Sequence, residues 1–241
     1  MIKIHAHRGA SGYMPENTLL SFQMAVDLGA NGIECDIHRT ADGQLLVCHD
    51  ATIDRTSDGT GAIKEMTLEE KALLVSGHDM WTTNPVERLG IPSIFVSDGP
   101  HGLRKQDTKK DGDYSTIKAV CFPAACATAS SFDRGMMYDM GVTLGKECQA
   151  EDVSTILGPA INIKRSPLCG RNFEYMSEDP YLNGTLAVPF IKGVQECDVA
   201  ACVKHFAVNN QETDRLAIDT YVDERALREI YLPAFKAAIP L

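Results

Sequence analysis

The feature that most constrains the fold is an alternation of short apolar segments with longer segments of helical period. Six segments have the composition of strands: 2–7, 32–37, 45–48, 94–97, 155–163 and 199–206, and a weaker seventh lies within 121–129. Helical spacing of apolar residues is found at 17–28, 67–76, 133–150, 180–196 and from Asp223 onward. Strands that alternate with helices form parallel sheets with right-handed crossovers. The sequence therefore predicts an α/β fold of the (β/α) TIM-barrel type.

Barrel closure is a separate question, because a closed barrel of this type has eight strands. Six or seven strands predict either an incomplete barrel or two barrel fragments. An open sheet edge would present unpaired backbone groups, so self-association across that edge is expected. Two further local features are predicted: a turn at 41–43 between strands that need no connecting helix, and a solvated loop at 105–116.

Composition limits the classes of partner. The chain has 241 residues, 44% of them hydrophobic, and a formal net charge of -10. This acidic balance disfavours non-specific binding of nucleic acid, which is attracted mainly to clustered Lys and Arg, so no nucleic-acid partner is expected. Neither a signal-peptide core nor a membrane-spanning apolar run is present, which predicts a cytoplasmic protein without a membrane partner. The eight cysteines include no C-x-x-C pair, so free thiols are expected.

Polar clusters follow the first three predicted strands. Glu34 and Asp36 are two residues apart, so their carboxylates project from the same strand face and can hold Mg²⁺ or Ca²⁺. Arg8 can contact a phosphate, and two histidines, His7 and His49, can divide general acid and base roles. Each residue alone is better explained as a surface charge or core histidine. Together, at successive strand ends, they indicate a phosphate and metal site.

The first quarter of the chain resembles the N-terminal part of glycerophosphodiester phosphodiesterases. The matching motifs are H-R-G at 7–9, P-E-N-T at 15–18, E-C-D at 34–36 and H-D-A-T-I-D-R-T-S-D-G-T-G at 49–61. The resemblance implies that His7 and His49 form the acid and base pair and that Arg8 binds phosphate. It also implies a Mg²⁺ or Ca²⁺ held by Glu34 and Asp36, with Glu16 in or beside the ligand set. A further carboxylate ligand that the family takes from a later strand has no match after residue 66.

A second polar set, made of Asp98, Arg171, Lys204 and His205, lies just beyond apolar segments later in the chain. A pyranose needs convergent donors and acceptors for its hydroxyl groups, and this set contains both. An alternative for Arg171 and Glu174 is a structural ion pair that braces the loop after residue 163. Both interpretations of Glu174 remain open from sequence.

Residues 67–238 resemble the N-terminal barrel domain of glycoside hydrolase family 3, the β-glucosidase type. The motifs are S-D-G-P-H-G-L-R at 97–104, a long run at 158–180 that includes R-N-F-E-Y, and V-K-H-F-A-V-N-N-Q-E-T-D-R at 203–215. The resemblance implies sugar contacts by Asp98, Arg171, Lys204 and His205, with Arg165 in support and no cofactor. The catalytic nucleophile of that family is an Asp in a Ser-Asp-aromatic motif, which these residues lack. Glu212 and Asp214 are poor substitutes, so hydrolysis of O-glycosyl bonds is expected to be impaired.

The two resemblances meet at residues 66–71, which we call the junction segment. Thr67 can cap a helix there, with Glu70 completing a capping box. The predicted organisation is a chimera of segments 1–66 and 67–241, possibly merged into one barrel. Three functions stay open: a β-glucosidase-type hydrolase acting on a β-glucoside, a metal-dependent phosphodiesterase of lipid metabolism, and a non-catalytic fusion.

Overall fold

The computed structural model describes residues 5–55, 60–107, 115–215 and 217–239. The chain divides into two compact units, Met1–Ser93 and Ile94–Leu241. The junction segment therefore lies inside the first unit, and the boundary at 66/67 stays a prediction about sequence relationship. Residues 2–4 of the first predicted strand and 108–114 of the predicted loop lie outside the described residues.

Four short strands make up two small sheets in the first unit: β1 (His5–His7), β2 (Gly32–Glu34), β3 (Ile37–Arg39) and β4 (Leu45–Val47). Strands β1 and β2 are parallel, and β3 and β4 form an antiparallel hairpin. The hairpin confirms the predicted turn, where Gly43 has a φ of 83°. The single strand predicted at 32–37 is wrong, because Glu34 pairs with β1 whereas Ile37 pairs with β4.

Two helices complete the first unit, α1 (Leu19–Asp27) and α2 (Leu68–Leu74). Short 3₁₀ turns occur at Ile63–Glu65 and Glu87–Leu89. Helix α2 begins with the predicted capping box, since the Thr67 hydroxyl accepts from the Glu70 N–H and the Glu70 carboxylate accepts from the Thr67 N–H. A small core packs beneath it, made of Cys48, Ile53, Ile63 and Met66.

The junction segment is hydrogen-bonded to residues that precede it and to a residue that follows it in the sequence. The Asp42 carboxylate in the hairpin turn accepts from the Leu68 N–H, and the Ala41 N–H donates to the Met66 carbonyl at 2.8 Å. The Glu70 carboxylate receives two hydrogen bonds from the Arg88 guanidinium, each 2.6 Å long. The junction segment, which fits both resemblances, is therefore held in place by residues of the first unit on either side of it in the sequence.

The second unit contains a parallel sheet in the order β5 (Val96–Asp98), β6 (Thr155–Leu157) and β7 (Ala200–Ala201). The parallel pairing agrees with the sequence prediction. Strand β6 is shorter than the predicted 155–163, and Pro159, which has no N–H to donate, follows it closely. The described strands of the whole chain form three separate sheets and no closed barrel. The α/β class is confirmed, while association through a sheet edge stays a prediction.

Five helices surround or follow this sheet: α3 (Ala125–Ala129), α4 (Arg134–Ala150), α5 (Pro180–Gln195), α6 (Glu224–Ala226) and α7 (Leu232–Ala238). The weak strand predicted within 121–129 is wrong, because α3 occupies that segment. A π-helical turn, Leu227–Tyr231, joins α6 to α7. It ends two residues before Pro233, whose ring and missing N–H disturb regular helical bonding, and the kink expected at Pro233 stays a prediction. No helix in the described ranges is both long and apolar enough to cross a bilayer.

The main core lies between α4, α5 and the sheet. Leu144, Leu186 and Phe190 are fully buried there. The two helices approach closely at Gly141, where an added Cβ would lie 2.3 Å from the Phe190 carbonyl oxygen. This contact fixes the helices that cover the sheet and so supports the loops at its carboxyl edge. No disulfide joins any of the eight cysteines, all of which lie in the described ranges, as expected from their spacing.

Candidate functional site

A polar cavity of about 450 Å³ lies in the second unit beside the end of β5. It is lined by the loop Asp98–Gly102 and by Arg104, Arg171, Phe173, Glu174 and Arg215. We call it the Asp98 cavity. Its walls alternate carboxylates with guanidinium groups, and His101 meets Phe173 edge to face with ring centroids 5.6 Å apart.

The loop after β5 turns sharply, which keeps the Asp98 side chain at the sheet edge. Gly99 and Gly102 have φ values of 136° and 142°, a region that only glycine adopts readily. A Cβ on Gly99 would lie 2.0 Å from the Gly102 carbonyl oxygen. The turn is closed by the Arg104 N–H, which donates to the Asp98 carbonyl at 2.9 Å. The glycines of the quoted motif are therefore a geometric requirement of the site.

Buried ion pairs connect the predicted sugar contacts. Lys204 Nζ hydrogen-bonds to Asp98 Oδ1 and lies 3.4 Å from Glu174 Oε2. The other oxygen of Glu174 accepts from Arg171 Nε, and Arg171 Nη1 lies 3.3 Å from Glu212 Oε1. Glu174 is only 2% exposed. The structure thus places Glu174 in an ion pair with Arg171 and also in the cavity wall, so the two interpretations of this residue do not exclude each other.

His205 lies behind the cavity wall. Its Nε2 is 2.8 Å from Arg171 Nη2, and its Nδ1 is 2.8 Å from the Tyr175 hydroxyl. The side-chain amide of Asn209 donates to the Tyr175 hydroxyl and to Glu212, both at 3.0 Å. This network holds Nη2 of the Arg171 guanidinium, whereas Glu174 holds its Nε.

Burial and neighbouring charges set the protonation states. Burial acts to raise the pKa of Asp98, but the hydrogen bond and charge of Lys204 outweigh burial and lower the pKa. Burial lowers the pKa of His205 to about 4, and the charge of Arg171 adds to that effect. At neutral pH the cavity therefore presents an ionised Asp98, and the imidazole of His205 behind its wall is neutral. The Asp98 carboxylate can accept hydrogen bonds from the hydroxyl groups of a sugar, and the guanidinium groups of Arg104 and Arg171 can donate to them.

The structure departs from the sequence prediction for several residues of the site. Arg165 is exposed and lies 5.9 Å from the centroid of the Tyr231 ring, outside the cavity lining. Sequence reasoning did not single out Arg104, Arg215, Phe173 and Tyr175 as site residues. All four lie within the quoted motifs, so their closeness to the predicted residues in sequence was the available signal.

The N-terminal polar set forms its own network in the first unit. Arg8 lies between two carboxylates, with Nη1 3.2 Å from Glu16 and Nε 3.3 Å from Asp36. Arg55 likewise lies 2.6 Å from Glu16 and 2.5 Å from Asp50. The Arg55 hydrogen bond and then that of His49 lower the pKa of Asp50 to about 2. These carboxylates are therefore already neutralised by guanidinium groups.

The two histidines predicted for this set lie against different carboxylates. His7 is 3.8 Å from Glu34, whereas His49 Nδ1 is 2.5 Å from Asp50. Within the ranges that the structure describes, no three His, Cys, Asp or Glu side chains are grouped so as to hold a metal ion. As arranged, Glu16, Glu34 and Asp36 do not fit a divalent cation, and the cation stays a prediction from the resemblance.

The N-terminal motifs are matched by a family model. The model of the Glycerophosphoryl diester phosphodiesterase family matches residues 7–143, more than half of the chain. The chain belongs to the glycerophosphoryl diester phosphodiesterase family. The family match extends beyond residue 66, after which the sequence shows no further motif of this family. The match includes β5 and the Asp98 loop.

Much of the chain is also similar to glycosidases. It is 61% identical over 179 residues to thermostable β-glucosidase B of Acetivibrio thermocellus, which covers 73% of this chain and 24% of that protein. It is 50% identical over 178 residues to the exo-α-(1→6)-L-arabinopyranosidase of Bifidobacterium longum, with the same coverage of 73% and 24%. The chain spans about a quarter of the length of these curated relatives.

Solved structures show the same relationship. β-Glucosidase 3B from Thermotoga neapolitana, in complex with α-D-glucose, superposes with a TM-score of 0.65 at 45% identity, over 72% of this chain and 26% of that one. The GH3 β-glucosidase of Bifidobacterium adolescentis gives a TM-score of 0.67 at 48% identity, over 76% and 25%. The two-part resemblance is thus confirmed. Because the family match and the glycosidase matches together exceed the chain length, they overlap, and a chimeric origin stays a prediction.

Proposed function

We propose that the Asp98 cavity binds the glycosyl group of a pyranoside, and that this chain supplies the sugar-binding part of an O-glycosyl hydrolase. The observation that carries the proposal is the convergence of Asp98, Arg171 and Glu174 on one cavity wall, where Lys204, from a third segment, forms ion pairs with both Asp98 and Glu174. The names of the relatives support it, since they include β-glucosidases and an arabinopyranosidase. A structural relative that holds glucose points to glucose as the first ligand to test.

The chain's own residues bind and orient the sugar in this proposal. The side-chain oxygens of Asp98 and Glu174 accept hydrogen bonds from sugar hydroxyl groups, while Arg104 and Arg171 donate to them. Phe173 gives the cavity an apolar face for the ring carbons. Glu212 is held by Asn209, Arg171 and Arg215 and so is poorly placed to attack an anomeric carbon. Retaining hydrolysis needs a nucleophile and an acid carboxyl on opposite sides of the bond, and the cavity as described supplies binding rather than that pair.

Calorimetric titration of the full chain with glucose tests the proposal. We expect binding with a dissociation constant of roughly millimolar order, as for a small polar ligand with few anchoring groups. Lys204→Gln removes the cation that holds Asp98 and Glu174, so binding should weaken at least tenfold, an order-of-magnitude expectation for a charged hydrogen bond. Lys146→Gln, an exposed position on α4, is the matched control. Absence of glucose binding by the wild-type chain would refute the proposal.

A second candidate function is binding or cleavage of a glycerophosphodiester by the first unit, which the family match favours. Arg8 is the residue available for phosphate, but a phosphate must compete with Glu16 and Asp36 for its guanidinium. Hydrolysis of glycerophosphocholine that is lost in His7→Ala and kept in His78→Ala would support this function. A folded chain without turnover on either substrate class would favour the non-catalytic fusion. The cytoplasmic location stays a prediction.

A further inference from the structure

We infer that Tyr175 is a positioning residue that holds the neutral His205 imidazole in its Nδ1-protonated tautomer and, through His205, orients Arg171 at the cavity wall. The inference deepens the proposed function and rests on it, because Arg171 is offered there as a sugar contact. Tyr175 lies between the polar cavity and the second unit's interior, and it is fully buried.

The tautomer follows from the partner of each ring nitrogen. His205 Nε2 is 2.8 Å from Arg171 Nη2. A guanidinium group has only donors, so Nε2 must be the acceptor of that bond. The ring proton then lies on Nδ1 and is donated to the Tyr175 hydroxyl oxygen, 2.8 Å away. The opposite tautomer would point an N–H at the Arg171 donor.

The other hydrogen bonds of the Tyr175 hydroxyl do not allow it to donate to His205 Nδ1 instead. It accepts from His205 Nδ1 and, at 3.0 Å, from the Asn209 side-chain amide. Its own proton is donated to the Asn209 carbonyl oxygen at 3.3 Å. One donor and two acceptor positions are all that a phenol hydroxyl has, so each is used. The Tyr175 and His205 rings also meet edge to face, with centroids 5.7 Å apart.

The charged groups around His205 support the neutral ring. The ionisable groups that face it are Arg171, Glu174, Lys204, Glu212 and the phenol of Tyr175. Protonation of His205 would break its hydrogen bond with Arg171 and would place a second cation against the Arg171 guanidinium. Both ring nitrogens are therefore engaged by protein groups, and His205 acts as a support for the guanidinium rather than as a proton carrier.

Tyr175 affects the cavity through the hydrogen bonds that hold Arg171. Glu174 holds Arg171 at Nε, and His205 holds it at Nη2. Loss of the Tyr175 hydroxyl leaves the half-buried His205 N–H without its acceptor, which costs free energy where water has limited access. The imidazole must then change tautomer or turn, and either change releases Arg171 from its position.

Nitrogen NMR of the full chain, labelled with ¹⁵N-histidine, tests the inference without any sugar. The His205 signals are assigned by their absence in His205→Gln. We expect a single neutral Nδ1–H tautomer in the wild-type chain at pH 7, and a mixture or the Nε2–H form in Tyr175→Phe. Tyr181→Phe, an exposed site on α5, should leave the spectrum unchanged. An Nε2–H tautomer in the wild-type chain, or an unchanged His205 signal in folded Tyr175→Phe, would overturn the inference.

Glucose affinity gives the second readout. Tyr175→Phe is expected to weaken glucose binding by roughly fivefold or more, since a half-buried donor loses its partner, while Tyr181→Phe keeps wild-type affinity. If the wild-type chain binds no glucose, the proposed function fails, but the tautomer measurement still decides the role of Tyr175. If Tyr175→Phe does not fold, the wild-type tautomer decides the assignment of the protons.

Discussion

The Lys204 ammonium group hydrogen-bonds to the Asp98 carboxylate, although the two residues lie 106 positions apart in the chain. Asp98 ends β5 and Lys204 follows β7, and β6 lies between these strands. The pair therefore spans the carboxyl edge of the whole sheet. A site built in this way depends on the sheet order and on both helices that cover it, so stability and ligand binding are expected to change together.

Asp98→Asn is expected to reduce both stability and glucose binding. The substitution keeps the shape but removes the charge that pairs with Lys204, whose side chain is 11% exposed. A charged hydrogen bond in a partly buried site contributes about 2 kcal/mol, so the free energy of unfolding should fall by about that amount. Urea denaturation measures it. Asp139→Asn, an exposed position on α4, is the control, and equal stability of the two variants would show that the pair contributes nothing.

We expect Glu70, in the junction segment, to make a contribution to folding stability that is lost in acid. Its hydrogen bond with Arg88, and then the Thr67 N–H, lower the carboxyl pKa from 4.5 to about 2. Because the folded state binds this proton less strongly than the unfolded state, the contribution is complete above pH 4.5 and is lost as pH falls towards 2. Glu70→Gln should therefore lower the melting temperature at pH 6 and have less effect near pH 2.

The control for that experiment is Glu69→Gln, since Glu69 is the exposed neighbour of Glu70 on the same helix. Melting followed by circular dichroism between pH 2 and 6 gives the comparison. A Glu70→Gln chain whose melting temperature differs from wild type by the same amount at every pH would contradict the ion-pair account.

Gly141→Ala is expected to separate α4 from α5. The added methyl group would lie 2.3 Å from the Phe190 carbonyl oxygen, which belongs to the helix backbone and cannot move alone. Overpacking of this kind costs about 1–3 kcal/mol. Gly12→Ala, where the new Cβ meets nothing within 4 Å, is the control. Denaturant unfolding that shows no loss for Gly141→Ala would mean that the two helices are not in close contact.

Magnesium provides a test of the first unit. Arg8 and Arg55 already pair with Glu16, Asp36 and Asp50, so millimolar Mg²⁺ should leave the melting temperature unchanged. Thermal denaturation with and without the ion measures this. A rise that disappears in Glu34→Ala would show that the carboxylates do assemble around a cation and would favour the phosphodiesterase function.

The sequence predicted helices better than strands, for a physical reason. The helices at 133–150 and 180–196 have caps, Asp133 and Asp179, that mark where they start, and each is long enough for its periodicity to be clear. The strands are two or three residues long, so apolar runs such as 155–163 exceed the paired part. The regular ladder of β6 ends before Pro159 and continues only as an isolated bridge between Ala160 and Lys204, which composition alone does not reveal.

The candidate site was predictable only in part. Asp98, Arg171 and Lys204 were found because each lies in a motif beyond an apolar segment, and the structure brings all three together. Tyr175 was not found although it lies in the quoted motif, because sequence does not show whether a tyrosine packs in the core or hydrogen-bonds to a site residue. The pairing of Arg8 with Glu16 and Asp36 was also missed, since spacing shows which carboxylates share a face but not which cation they meet.

The position of bound glucose tests the central claim most directly. A crystal structure of the full chain with glucose should show the sugar in the Asp98 cavity, with hydroxyl groups hydrogen-bonded to Asp98 and Arg171. Glucose bound elsewhere on the chain, or an empty cavity at a glucose concentration that saturates the calorimetric titration, would contradict the account.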